Sequence, residues 1–493
     1  MKFFLSRCCS IFFLLSSTAL STFARTYYVS PTGSDLNVGY DINAPFKSMK
    51  KALGKSDMTE IIVRGGTHYI TGDSTVSINK IGTTPDAFTI RNYPGERPLF
   101  DCSGLNATKK GFNVTGKYWH IIGINIMKAR DNGMYITGAD NIIEFCTFFE
   151  NEDSGLQISG GAANNKIINC DSYFNKDATS ENADGFACKL DVGTGNSFKG
   201  CRAWQNSDDG WDGYLRPSDN ITTTIDSCWS FKNGYLKTGA TSGVNGDGNG
   251  FKMGGSDATD LRHNQILTHC VAFNNRKRGF DQNNNKGSMT LYNNTAFGNN
   301  GGNYIMNSIS LSSGSVMTVK NCIAFTASGT AGSNSFVSGA VLQNNSWQSP
   351  FNTSTADFIT IDTVGARGPR KPDGSLPDIG FMQLAAASDL IDGGQDVGLP
   401  YTGTAPDLGA FETIVTSSLT YTFNGNGNWD NATNWLGATM PPATIPAGSH
   451  ITIDPIIGGD CILNINYTVS PGVILTIVTG KNLIVQGNLM IAN

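Results

Sequence analysis

Four aspartates and one lysine take matching places in three segments of the chain: ENADGFACKL (181–190), NSDDGWDGYL (206–215) and GDGNGFKMGG (246–255). Aligned on the pairs Gly185-Phe186, Gly210-Trp211 and Gly250-Phe251, Asp184 and Asp209 fall one before the glycine and Asp208 two before. Asp212 and Lys252 fall two after it. If the segments are successive turns of a stacked structure, the carboxylates become neighbours and repel one another unless a cation sits among them. Oxygen ligands on Gly-rich backbone suit Ca²⁺, whereas Zn²⁺ prefers His and Cys, and the five histidines form no such cluster. Asp, Asn and Gly also populate ordinary turns, but turn formation does not explain why the aspartates align.

Lys252 shares the outward column of Asp212, one turn on, at a backbone separation of about 5 Å. A lysine on a solenoid surface is ordinarily just solvated. This one follows the longest insertion, and a divalent cation beside it would lower its pKa and fit it to act as a general base. Lys189, four after Gly185 and outward by parity, is the rival base or a substrate contact. Lys277 and Arg278 precede Gly279, with Arg278 in the column of Asp184 and Asp209. There a guanidinium fork would grip a carboxylate; a solvated turn is the competing reading.

The element that stacks these residues is a repeat. Its copies are Cys146-TFFEN, Cys170-DSYFN, Cys201-RAWQN, Cys228-WSFKN, Cys270-VAFNN, Asn294-TAFGN and the fragment Cys322-IAF, spaced 24 to 42 residues apart. That spacing predicts an all-β, right-handed parallel β-helix, in which like side chains stack about 4.8 Å apart. The cysteine column then reads as buried, reduced side chains rather than disulfides, and the asparagine column as a turn ladder. A second column, Gln157, Ala187, Asp212, Lys252 and Asp281, lies two after each glycine and faces outward. The two large insertions, 176–183 and 234–248, leave the solenoid on one arc beside the aspartates, as loops that build a binding face do.

The start of the chain, MKFFLSRCCSIFFLLSSTALSTFA, reads as a secretory signal cut near Ala24, so export to the periplasm, outer surface or medium of a bacterium is expected. Cys8 and Cys9 lie too early for a conventional lipoprotein cleavage site. A helix over 46–53 is expected to cap the solenoid, whose catalytic domain is taken as 25–414. A Ser/Thr-rich joint leads to a small β-rich domain of unassigned role over 419–493. Trp429 and Trp435 there serve core packing or, less simply, glycan binding. No later apolar run is long enough to span a membrane, and a net charge of −5 offers no general attraction for nucleic acid. A monomer is expected.

A divalent cation, a base and a cationic patch on an exported surface point to an anionic polysaccharide containing uronic acid. A base removes the proton next to the uronate carboxylate, the cation stabilises the charge that develops, and the glycosidic oxygen leaves by β-elimination.

The segments NADGFACKL, NSDDGWDGY, GDGNGFKMGG and NNRKRGFDQNNN resemble, in order and spacing, the signature of polysaccharide lyase family nine, over residues 26–412. These are calcium-dependent pectate and rhamnogalacturonan lyases with a right-handed parallel β-helix. The resemblance implies that Asp184, Asp208, Asp209 and Asp212 bind Ca²⁺ and that Lys252 is the Brønsted base. It leaves the polymer open: pectate (homogalacturonan) is the first expectation and the rhamnogalacturonan I backbone the second. From the residues alone, a β-helix pectin hydrolase using the aspartates as acid and base, or a non-catalytic glycan-binding solenoid, remain alternatives.

Overall fold

The computed structural model describes residues 24–84, 87–256, 260–413, 419–442, 445, 448–469 and 473–491. The signal expected over 1–24 therefore lies outside the described residues, save its last position. Each turn of the chain lays one short strand on each of three parallel sheets, which hold 12, 10 and 10 strands among the described residues. Every neighbour in a sheet is the strand one turn away, so residues 22 or more apart in sequence meet in register. The chain divides after Glu412 into two compact units.

The helix expected over 46–53 is shorter, Met49–Leu53, with the Ser48 hydroxyl accepting from the Lys51 N–H. Phe46 instead bridges to Val29, at the edge of the first sheet. Its ring, with Met49 and Ala52, is buried in the core of the first turns.

Small and apolar side chains alternate with outward ones along each strand, and the small ones let neighbouring turns close up. Cys146, Cys170, Cys201, Cys228, Cys270 and Cys322 are all buried and free. They form a ladder in which the Cys201 thiol sits 3.5 Å from the Cys170 N–H and the Cys228 thiol 3.3 Å from that of Cys201. At the sixth position Asn294 takes the same role, its carbonyl accepting from the Cys270 N–H at 2.8 Å. The asparagine column is an amide ladder: Asn151, Asn175, Asn206, Asn233, Asn275 and Asn299 each donate to the next carboxamide or its equivalent at 2.8–3.1 Å. Each rung thereby satisfies buried backbone donors where the chain turns a corner. The residue before each rung holds φ near +55°, as at Gln205 (50°) and Lys232 (54°), which makes that corner sharp.

The aromatic three after each cysteine points away from the solenoid core. Tyr173, Trp204, Phe231 and Phe273 stack on this outer face with centroids 4.2–5.6 Å apart. The irregular chain between 351 and 411 covers them, placing Phe381, Leu390 and Leu408 over the stack in a second apolar cluster. This covering segment is fastened by Asp171, whose carboxylate accepts from both Arg202 and Arg370 at 2.6–2.9 Å.

In the C-terminal unit, strands Thr420–Phe423, His450–Ile453 and Ile474–Ile477 pair in parallel, so it too is built of stacked turns. Trp429 and Trp435 are buried in its core, which removes exposed tryptophan as a glycan platform.

Candidate active site

Five successive strands of one 10-stranded sheet carry the site: Leu156–Ile158, Phe186–Cys188, Trp211–Asp212, Phe251–Lys252 and Arg278–Asp281. Their register places Gln157, Ala187, Asp212, Lys252 and Asp281 directly opposite one another in turn. Behind them Phe186, Trp211, Phe251, Phe280 and Tyr304 stack inward with centroids 4.8–5.1 Å apart, locking the register with large apolar side chains. The glycines before these aromatics are required by close approach. A Cβ on Gly210 would lie 1.9 Å from the Ser230 hydroxyl of the next turn.

One residue before each glycine, a column of backbone bonds stacks Ser154, Asp184, Asp209, Asn249 and Arg278. Asp184 and Asp209 are fully buried here. Asp184 accepts from the Ser154 hydroxyl at 3.1 Å, the Asp209 N–H at 3.2 Å and the Lys189 ammonium at 2.7 Å. Asp209 accepts from the Asn249 N–H at 2.7 Å through Oδ1. Its Oδ2 is buried, makes no hydrogen bond, and faces Lys252 Nζ at 3.2 Å. Asp208 accepts from the Asp247 N–H at 2.5 Å, which ties the 234–248 insertion down over the site.

Asp184, Asp208 and Asp209 each offer an oxygen within 4.8 Å of the others. Three hard oxygen donors, in a group where one buried Asp209 oxygen makes no hydrogen bond, fit a divalent cation such as Ca²⁺. The fourth predicted ligand, Asp212, sits beside this group rather than in it. Its Oδ2 accepts from Lys189 at 3.2 Å, its Oδ1 accepts from the Tyr214 N–H at 3.0 Å, and Lys252 lies 3.9 Å away.

The electrostatics follow from burial and from these pairs. Burial pushes the Asp184 carboxyl up to about 6 against the pull of Lys189. Asp208 and Asp209 are raised as well, first by burial and then by the neighbouring carboxylates, against the pull of Lys252. Burial would raise Asp212 too, but Lys252 and Lys189 outweigh it and hold its carboxyl below the usual range. Burial would lower Lys252, yet Asp212, Asp209, Asp208 and Asp247 outweigh it and raise it well above the ordinary lysine value. The expectation of a lowered lysine counted a cation's charge; the protein groups by themselves hold the proton on.

The remaining predicted residues are placed as follows. Lys189 is nearly buried, 9% exposed, and its ammonium bridges Asp184 and Asp212. Lys277 pairs with Asp247 at 2.5 Å and Arg278 with Asp281 at 2.7 Å, both on the rim one turn beyond Lys252. Sequence reading passed over Asp247, which faces Lys252 at 3.4 Å as well as pairing with Lys277. Its one signal was its place five residues before Lys252 in the insertion, and the repeat does not dictate where an insertion folds. Asp208, Asp212, Asp247 and Lys252 line a groove of about 870 Å³ that also takes in Tyr135, Tyr214 and Arg216, while Asp184 and Asp209 are buried beneath its surface.

Residues 27–321 match the family model described as Pel9A-like, right-handed β-helix region. Pectate lyase L of Dickeya chrysanthemi is 37% identical over 434 residues, which cover 83% of this chain and 98% of that one. Pectate lyase PEL9 of Emericella nidulans is 31% identical over 398 residues, 74% of this chain and 94% of that one. Among solved structures, pectate lyase Pel9A superposes with a TM-score of 0.71 at 36% identity, over 79% of this chain and 96% of that one. A rhamnogalacturonan lyase superposes with a TM-score of 0.63 at 27% identity, over 74% and 97%.

Proposed function

This chain belongs to polysaccharide lyase family nine, the Pel9A-like right-handed β-helix lyases, and from that membership we propose that it is an exported pectate lyase with Lys252 as its base. Membership in a lyase family sets aside the hydrolase and the binding-only solenoid. The observation that carries the finer reading is the group of three buried carboxylates, Asp184, Asp208 and Asp209, with Asp209 Oδ2 making no hydrogen bond and lying 3.2 Å from the Lys252 ammonium, beneath a groove that Asp208 and Lys252 line. Asp184, Asp208 and Asp209, with Asp212 beside them, are the residues that would hold Ca²⁺. A bound calcium ion would neutralise these carboxylates and stabilise the negative charge that develops on the substrate's own carboxylate.

The protein groups divide the remaining work. Lys252, once relieved of its proton, takes the hydrogen from the carbon next to the uronate carboxylate. The electron pair left behind forms a carbon–carbon double bond, and the glycosidic oxygen on the adjacent carbon departs and is protonated from solvent. Lys189, tied to Asp184 and Asp212, keeps those two side chains in place. Lys277 and Arg278 stand on the rim where a neighbouring uronate would pass, each released from its aspartate by a competing carboxylate.

The test is release of unsaturated, ultraviolet-absorbing oligosaccharides from de-esterified homogalacturonan, with rhamnogalacturonan I as the second polymer. Chelation should abolish turnover and added Ca²⁺ restore it. Lys252→Ala should leave a folded protein with activity reduced at least 10³-fold, on the order expected for loss of a general base. A Lys252→Ala variant that keeps full activity, or products that are saturated, would remove the mechanism. Faster turnover of rhamnogalacturonan I would reassign the substrate while leaving the chemistry intact.

A further inference from the structure

Around the corner of the coil from the aspartates lies a second cavity, of about 550 Å³, lined by Lys232, Lys237 and Arg367 and by no carboxylate. The three cations come from separate parts of the chain. Lys232 occupies the sharp corner before the ladder residue Asn233, and among the described residues its ammonium has no ion pair or hydrogen bond. Lys237 comes from the 234–248 insertion and lies between Glu150, at 2.5 Å, and the ring of Phe174, at 5.5 Å. Arg367 comes from the covering segment and gives one nitrogen to the Gln205 carboxamide at 2.7 Å. Set against one neighbouring carboxylate, Glu150, the three cations leave an excess of two positive charges. The chain as a whole carries −5, so this is a local reversal of sign, of the kind that draws in a polyanion.

The neutral part of the lining is suited to hydroxyl groups. Asn274 lies on the wall one turn beyond Lys232, and Asn300 donates to the Tyr235 hydroxyl at 2.8 Å. Amides and a phenol beside cations suit an acidic sugar, which presents a carboxylate and a ring of hydroxyls.

The cavity also adjoins the catalytic groove. Gln205 lines the one and Asp208 the other, and three residues of chain span at most about 10 Å. The 234–248 insertion walls both, with Tyr235 and Lys237 facing the cavity and Asn245 and Asp247 facing the groove.

We infer that this cavity is an accessory uronate-binding site, which holds a carboxylate and ring hydroxyls of an acidic polysaccharide beside the catalytic groove and apart from the bond being cleaved. The inference rests on the reading of the substrate as an acidic polysaccharide. Lys232 and Arg367 supply the charge-assisted bonds to the carboxylate, and the amides take the hydroxyls.

The test is the double variant Lys232→Gln/Arg367→Gln, which keeps side-chain length and polarity and removes two charges from exposed or half-exposed positions. On polygalacturonate its KM should rise about five- to tenfold with kcat unchanged. Digalacturonate, too short to sit beside Lys252 and fill the cavity as well, should bind the parent and the variant alike. The difference should shrink in about 0.5 M salt. The same two substitutions in a Lys252→Ala background should weaken calorimetric binding of polygalacturonate by a similar factor without any turnover. Unchanged polymer binding in that background, or an equal loss on digalacturonate, overturns the site. Displacement of polygalacturonate by sulfate as effectively as by galacturonate would assign the cavity to generic anion capture and overturn the uronate assignment. The activity reading fails separately, if the parent releases no unsaturated product from polygalacturonate. The calorimetric arm still decides the site in that case.

Discussion

At the scale of single residues, the site is a buried charge network in which Lys189 pairs with two carboxylates and Lys252 with three. Lys189 is the more enclosed of the two, and removing it strands Asp184 in low dielectric and leaves Asp212 with Lys252 alone. In metal-free protein at pH 8, Lys189→Met should therefore lower the unfolding free energy by about 3 kcal/mol, read by urea denaturation. The deficit should shrink as the pH is lowered. Asp184 titrates near about 6 when folded, and without Lys189 its carboxyl takes up a proton more readily still, which neutralises the stranded charge. Equal stability of parent and variant at pH 8 would show that Lys189 compensates nothing. The same network explains why Lys252 is a base only conditionally: four carboxylates hold its proton, and whatever neutralises them releases it.

At the scale of elements, the turns are held by side chains that stack across coils, and one of these makes the stacking pH-sensitive. His263 begins the strand His263–Thr268 behind the site, buried, with Nδ1 2.7 Å from the Gly213 carbonyl and Nε2 2.8 Å from the Thr223 hydroxyl. This is the neutral ring, donating through one nitrogen and accepting through the other. Burial depresses its pKa to about 4, against about 6.5 for an unfolded histidine. Above pH 6.5 neither state is protonated and the packing stabilises in full. As the pH falls from 6.5 towards 4 the unfolded chain gains a proton that the folded one refuses, and stability is lost. Between pH 7 and pH 5 this one group should cost about 2 kcal/mol. His263→Gln, which keeps one of the two hydrogen bonds, should show a correspondingly flatter stability profile over that range. Parallel profiles for parent and variant would exclude His263 as the source. Asp184 changes stability in the opposite sense over the same range, so the comparison with the variant, not the parent profile alone, carries the test.

At the scale of the whole molecule, the solenoid is not self-sufficient: its outer aromatic column needs the segment between 351 and 411. Burial would raise Asp171, but Arg202 and Arg370 outweigh it and hold it ionised below the usual carboxylate range, so the clasp is a charged one. Arg370→Ala leaves Asp171 with Arg202 alone and should cost about 2 kcal/mol. Loosening of the cover should also expose Trp204 and Trp229, seen as a red shift and easier quenching of tryptophan fluorescence in the folded protein. An unchanged spectrum and stability would mean that the apolar contacts alone hold the segment down. The C-terminal unit has its own apolar core with Trp429 and Trp435 at its centre.

The repeat by itself determined that Asp212 and Lys252 are neighbours and that the cysteines and asparagines form buried columns. A parallel coil has one register that keeps every large apolar residue inside, and the spacing of Gly-aromatic pairs states it. The same periodicity is silent where the chain leaves it. The folding of 234–248 brought Asp247 onto Lys252, the covering segment turned the aromatic column from surface into core, and both together enclosed the cationic cavity. Only the tertiary structure decided that Asp184, Asp208 and Asp209 converge, and that Lys189 and Lys252 are each shared between that group and Asp212. Register fixes where a backbone position stands to within one turn, whereas the direction of a carboxylate is set by the hydrogen bonds and charges that surround it.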